Sequence, residues 1–383
     1  FLNNKKNLGK SNYSKVYISI NNFFSLENLK IKDLVFKKTE FNVDFEDISF
    51  FKNILDSNKE TKQIKFIDSI LFFQNQNKDV IFFTDIKSLK FFYNTDFEQQ
   101  LSASFKVFNL PFVLNLKDSK FNKKAYIDLS SHKIRLNIEN DFDYSKENIK
   151  GLLNFKVIND SKLFNYQVQK NNLNLNSEDE KFKVNLDFKP FYLLSEFNFH
   201  QLNLKKIFRD DSILFNLLNS EILNNQNLNA QLNFNFEKIQ GVNYFGKIAL
   251  KTYLEEGNIN IKNSKINWND SVLINLIDSQ VLIENSQIIY TGSVVFDFDD
   301  IEKFYSHYQI KKSLRKKIKK VKLDFLLNIN EKEIQLDNFK VDGVSSKNIN
   351  DYLNYFNSRK INVFNKVIFR NSIKDFFIKN YNG

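Results

Sequence analysis

Alternation with a period of two runs through this chain and restricts its fold more than any other feature. Phe182, Val184, Leu186 and Phe188 alternate with Lys183, Asn185 and Asp187. Leu232, Phe234 and Phe236 alternate with Asn233, Asn235 and Glu237, and Ile134, Leu136 and Ile138 with Arg135, Asn137 and Glu139. Leu323, Phe325, Leu327 and Ile329 repeat the pattern late in the chain. Successive strand side chains point to opposite faces, so each segment carries one apolar and one polar face. The expected fold is mainly β: a long antiparallel or mixed amphipathic sheet, covered on one side only. Its strand content should exceed the usual ~20–25%.

Composition narrows the class. Hydrophobic residues make up 42% and charged residues 26% of 383, which is globular rather than disordered. No apolar run exceeds four residues, whereas a membrane-spanning helix needs ~20. Eight Gly and two Pro set aside collagen-like and Pro-rich linker readings. The absence of Cys excludes disulfide frameworks, zinc knuckles and thiol nucleophiles. Phe is abundant at 43 residues; AT-rich codons account for the number but not for its placement on alternating positions. The chain begins Phe1, Leu2, Asn3, Asn4 and contains no Met. The expectation is that its true start is missing, together with any signal peptide or anchor.

Asp or Asn followed by Ser precedes a hydrophobic stretch at Asp68-Ser69, Asp118-Ser119, Asp160-Ser161, Asn263-Ser264, Asp278-Ser279 and Asn285-Ser286. Such side chains bond nearby backbone and favour turns. Their irregular spacing argues against a strict solenoid register and for a long meander of hairpins. Helices are expected near 48–56, 202–223, 299–320 and 346–380. In the last, Ile349, Tyr352, Leu353 and Phe356 fall at i, i+3, i+4 and i+7. The expected organisation is a β-rich groove region over 1–200, a helical break over 201–225, a second β-rich region over 226–343 and a helical tail over 344–383. The second region contains a basic helix at about 299–320.

Catalytic constellations are not evident. His132, His200 and His307 stand far apart, without partners at metal-ligand spacing. Asp210-Asp211, Glu255-Glu256 and Asp299-Asp300 read as turns and helix starts; adjacency does not make carboxylates face each other across a cleft. Residues 241–247 match the first seven positions of a phosphate-binding loop. Ile248 stands where Ser or Thr should bind magnesium, and alternation rather than a helix follows, so a hairpin turn is the better account. The reading is non-enzymatic, with no metal and no cofactor. Lys311, Lys312, Arg315, Lys316, Lys317, Lys319, Lys320 and Lys322 concentrate charge in twelve residues. They are candidates for contact with anionic headgroups, each worth ~1 kcal/mol near such a surface. Elsewhere charges of both signs are mixed along the strands, which argues against nucleic acid.

An amphipathic sheet of this length can pack on a second sheet. It can also curl into an open groove whose apolar floor holds lipid chains, at ~0.8 kcal/mol per buried methylene. The candidate groove-lining residues are Ile134, Leu136, Ile138, Phe182, Val184, Leu186, Phe188, Leu232, Phe234, Phe236, Leu323, Phe325 and Leu327.

The order of elements resembles the AsmA-like family of Gram-negative envelope proteins. The likeness is carried by Leu29 to Phe36, a short helix near Phe50, Ile64 to Leu71, Asn109 to Leu116, Leu228 to Phe234, and Leu323 to Ile329 running on to the segment Asp337 to Gly343. The resemblance implies a periplasmic β-rich groove, an inner-membrane tether absent from this chain, and movement of phospholipid towards the outer membrane. It also implies phospholipid, a membrane surface and other envelope proteins as partners. The alternative reading is a structural or adhesive β-rich envelope protein with a closed, dry core.

Overall fold

The computed structural model describes residues 2–3, 6–19, 31–47, 63–75, 77–93, 98–119, 122–143, 149–157, 160–169, 171–203, 209, 212–223, 225–362 and 365–380. The helix expected near 48–56 lies outside them. Among the described residues the fold is mainly β, with 65% strand and 13% helix. It divides into two compact units, residues 1–194 with 220–228, and residues 195–219 with 229–383.

In the first unit β1 (Leu2–Asn3) and β2 (Lys6–Asn7) pair only with each other. Then come β3 (Gly9–Ile18), β4 (Ile31–Val43), β5 (Gln63–Gln74), β6 (Val80–Tyr93), β7 (Glu98–Val107), β8 (Leu110–Ser119), β9 (Lys124–Ser131), β10 (Leu136–Asp143), β11 (Ile149–Val157), β12 (Asp160–Gln169), β13 (Asn172–Ser177) and β14 (Phe182–Phe188). From β3 onward each strand pairs with the next, antiparallel except for the parallel β4–β5 pair. β15 (Phe191–Leu202) crosses the unit boundary.

The second unit continues with helix α1 (Ile213–Leu218), capped by Ser212, whose hydroxyl accepts from Phe215 N. Strands β16 (Ala230–Ile239), β17 (Phe245–Glu255), β18 (Asn258–Trp268), β19 (Val272–Glu284) and β20 (Gln287–Phe298) follow as antiparallel hairpins. Residues 240–244 form the β16–β17 turn, and a strand rather than a helix follows them. After α2 (Ile301–His307), β21 (Lys320–Asn328) and β22 (Glu333–Val341) extend the pairing. Then come α3 (Lys347–Ser358), β23 (Ile361–Asn362), α4 (Lys366–Asp375) and a π turn over Phe376–Asn380. The i, i+3, i+4, i+7 set of the tail, Ile349, Tyr352, Leu353 and Phe356, forms the buried stripe of α3.

Two expectations need correction. The stretch 299–320 is not one basic helix. α2 ends after seven residues, Gln309 takes a positive φ, Lys312–Leu314 make one 3-10 turn, and 315–319 are irregular. Tyr305 explains the break: its hydroxyl donates to Lys316 O at 2.7 Å and accepts from Lys316 N at 3.3 Å, replacing helical hydrogen bonds. A helix would also stack like charges at i and i+4.

The second correction concerns the Asx-Ser pairs. Asn285-Ser286 does form a hairpin turn, but Asp68-Ser69, Asn263-Ser264 and Asp278-Ser279 sit inside β5, β18 and β19. Each Asx takes φ of 48–50°, the left-handed region, and each following Ser is buried. Ser69 Oγ accepts from Thr39 N at 3.2 Å and Ser264 Oγ from Lys251 N at 3.2 Å, satisfying donors that the distortion frees from the ladder. Register shifts accompany Asn263 and Asp278, the signature of β-bulges, which bend a strand and increase its twist. Opposite Ser279 stands Gly292, where a Cβ would clash with the Ser279 side chain.

Candidate functional site

Residues paired directly across neighbouring strands share a face, so the register traces the apolar surface of the first unit. From Ile138 it runs through Phe155 on β11, Leu153–Phe164 to β12, Tyr166–Leu175 to β13 and Leu175–Val184 to β14. In the other direction Ile138 pairs with Leu129, Leu129 with Leu114, Leu114 with Ala103, Ala103 with Leu89, Leu89 with Phe66 and Phe66 with Phe36. One apolar face therefore spans β4 to β14. Rings meet along it: Phe36 stacks on Phe66 at 5.2 Å, Phe73 on Phe82 at 5.0 Å, and Phe155 meets Phe164 edge-on at 6.0 Å.

The face is apolar but not sealed. Leu114, Leu129, Leu136, Ile138, Leu153, Phe155, Phe164, Leu175, Val184, Leu186 and Phe188 are all half-buried. Phe182, at 7% exposed, is an exception. Side chains of this size under a second packed layer would be buried outright. The opposite face carries polar pairs, interspersed with exposed Val113, Tyr126, Leu152 and Leu163. Lys156 Nζ bonds Glu139 at 2.7 Å, Asn137 donates to Asp128 at 2.7 Å, and Asn185 donates to Asn174 at 3.0 Å. Ile134 departs from the expected strand: it lies in the β9–β10 turn beside Arg135, which has φ of 50°, and is buried.

In the second unit the register joins Phe234 to Leu250, Ile248 to Ile266, Ile266 to Ile274, Leu276 to Val294, Val294 to Leu323 and Phe325 to Leu336. Leu232, Phe234 and Phe236 thus share a face with Leu323, Phe325 and Leu327. Phe234 and Leu232 are half-buried, while Phe236 is closed in a cluster with Leu202, Ile239, Val242 and Ile248. Towards β20–β22 the face is covered. Val294, Leu323, Phe325 and Val341 pack with Tyr305 of α2, with Ile349, Tyr352, Leu353 and Phe356 of α3, and with Phe376 and Phe377. Leu323 and Phe325, read from the sequence as groove lining, belong to this dry core; Leu327 is half-buried. Burial pushes the Tyr290 phenol of the same face up to about 12.

The cations divide by environment. Arg315 is engaged: its guanidinium bonds Glu302 at 2.6 Å and Ile310 O at 3.0 Å. Lys316 is half-buried. Lys311, Lys312, Lys317, Lys319, Lys320 and Lys322 are exposed, with Lys320 3.6 Å from Asp297. Lys322 pairs across strands with Lys340, placing like charges side by side on the outer face. His200 forms an exposed ion pair with Glu237. His307 packs among rings, 4.6 Å from Tyr244 and 5.3 Å from Trp268, and burial lowers its pKa.

A polar cavity of about 570 Å³ beside α3 includes Asp324, Asp337, Asn350, Asn354 and Asn357 in its lining. Burial there opposes ionisation of Asp324, yet hydrogen bonds from Ser293 and Asn338 hold it below the usual carboxylate range. Asn357 serves the sheet instead. Its amide accepts from Leu336 N at 3.0 Å and donates to Leu336 O at 2.9 Å, pairing the β22 edge as another strand would. Among the described residues no three His, Cys, Asp or Glu side chains converge as metal ligands.

Comparison of the chain with protein-family models, with curated proteins and with solved structures finds no match.

Proposed function

We propose that this is a non-enzymatic envelope protein that binds phospholipid acyl chains along an open apolar β groove and assists lipid transport between inner and outer membrane. The observation that carries the reading is the unsealed face of the first unit, where large apolar side chains such as Leu114, Ile138, Phe155 and Val184 on strands from β8 to β14 stay half-buried on one side of the sheet. Headgroups would remain in water beside the polar edges. Each acyl methylene moved onto such a face contributes ~0.8 kcal/mol, so a handful of them suffices for retention. The resemblance to the AsmA-like family supplies the compartment: periplasmic, tethered to the inner membrane, with phospholipid and other envelope proteins as partners. The exposed lysines of 311–322 would meet anionic headgroups at a membrane surface.

A second reading, a structural or adhesive envelope protein with a closed core, is favoured by the dry cluster beneath α2 and α3. Detergent-free purification followed by mass spectrometry of bound lipid separates the two. Stoichiometric phospholipid supports the conduit; a lipid-free chain supports the structural protein.

A further inference from the structure

Within the first unit, two parts of the apolar face that lie far apart in the sequence meet. At the end of β4, Val43 stands opposite Phe73 of β5, and Phe45 lies two residues beyond it. Phe45 stacks on Phe188, the last residue of β14, with ring centroids 4.4 Å apart. Phe73 meets Phe191, the first residue of β15, edge-on at 6.4 Å. Between Phe188 and Phe191 in the chain, Lys189 forms an ion pair with Glu46, 143 residues away. The β14–β15 corner thus rests on the ends of β4 and β5.

No strand ladder makes this joint. Both edges of β4 are taken, by β3 and β5, and both edges of β5 by β4 and β6. Side chains join the parts instead, and Phe45, Phe73, Phe188 and Phe191 are only half-buried there. A ladder parts only when many backbone bonds break together. A few half-solvated rings and an ion pair with an exposed carboxylate part far more easily.

The two sides of the joint differ in how firmly they are held. The rim beside β5 is tied down by residues from the 220–228 part of the unit. Asn225 donates to Ile81 O at 2.8 Å, Asn227 to Val80 O at 2.7 Å, and the Glu221 N–H to Phe108 O at 3.2 Å. On the other side, β13 and β14 have six and seven residues and are the shortest strands from β3 to β14. They carry the fewest ladder bonds, so the corner is the side that moves.

Resting on the acyl-binding reading above, we propose that the β14–β15 corner is a gate onto the apolar face. It stands shut on β4 and β5 through the Phe45–Phe188 and Phe73–Phe191 contacts and the Glu46–Lys189 pair. Swinging away, it admits a lipid chain sideways to the half-buried residues of β8 to β14.

The test exploits the absence of Cys from the chain. Glu46→Cys and Lys189→Cys are introduced together in the full chain and joined by a short bis-methanethiosulfonate linker, which a reductant removes. Mass spectrometry verifies that the linker has formed, and circular dichroism that the chain is folded. Stopped-flow fluorescence follows uptake and release of dansyl-undecanoic acid. Locking the corner should slow both rates by about tenfold or more, as expected when a lid must open for exchange. Reductant should restore them, and neither single-Cys variant should slow on the same treatment. Unchanged exchange in the fully linked chain, or slowing that the single-Cys variants share, overturns the gate while leaving acyl binding intact. Failure of the probe to bind the wild-type chain removes the acyl-binding reading and the gate with it.

Discussion

The β8–β14 face of the first unit and the β20–β22 face of the second are written in the same alternating code, yet one is half-exposed and the other is dry. Phe155 and Val184 keep part of their surface open, whereas Phe325 and Val341 are sealed. The difference lies in the chain that follows. After β22 come Ile349, Tyr352, Leu353 and Phe356 on one stripe of α3 and then Phe376 and Phe377, and these supply a second layer. From β8 to β14 each strand pairs antiparallel with the next in the chain, and among the described residues no helix lies between them. Alternation makes an apolar face; a separate amphipathic element is needed to close it.

The largest expected effect follows from that contrast. Phe325→Ala should destabilise the second unit by about 3–5 kcal/mol, because it empties a closed core. Phe155→Ala should cost only about 1 kcal/mol, since much of that side chain is already solvated. Urea unfolding reads both. Trp268, the sole tryptophan and buried in the second unit, reports the first by fluorescence, and circular dichroism reports the second. Equal losses would erase the distinction between the faces.

Next in size is lipid retention. Phe234→Asp places a charge on a half-exposed apolar position and should cut co-purifying lipid several-fold. Asn235→Asp, where the side chain instead meets Asn198 on the polar side, should leave it unchanged. Similar losses at both positions would count against the assignment of faces.

The strands and their faces are legible where period two runs unbroken, as from Phe182 to Phe188, and are lost where an irregularity shifts it, as at Ile134 beside Arg135. The bulges are not legible: Asx followed by Ser reads alike whether it closes a hairpin, as at Asn285, or bends a strand, as at Asn263. The helical tail is legible from its 3.6 period, but nothing in it states which apolar face it covers, so Leu323 and Phe325 read as open. The basic stretch misleads because Leu314 and Ile318 fit helical spacing, while the Tyr305 hydroxyl that pins Lys316 is visible only in three dimensions.

Smaller effects sharpen the polar surroundings. Binding to anionic vesicles through Lys311, Lys312, Lys317, Lys319, Lys320 and Lys322 should weaken steadily with salt and vanish near molar ionic strength, where screening falls to ~3 Å. Co-sedimentation that is unchanged from low to high salt would remove the electrostatic role.

The smallest expected effect is at Asp179, between β13 and β14. Hydrogen bonds from Ser177 and Lys162 lower its pKa to about 2. Because the folded value lies below the unfolded one, its contribution is present above ~pH 4 and is lost as pH falls towards about 2. Asp179→Asn should remove that pH dependence in thermal unfolding while leaving lipid retention untouched.

The central claim is that an apolar face is open to lipid in the first unit and closed beneath the tail. Photo-crosslinking from four positions in cells tests it most directly. With a photoreactive residue at Phe155, Val184, Asn185 or Phe325, lipid adducts are expected at 155 and 184, and none at outward-facing 185 or helix-covered 325. Adducts absent from 155 and 184, or as frequent at 185 and 325, would contradict the account.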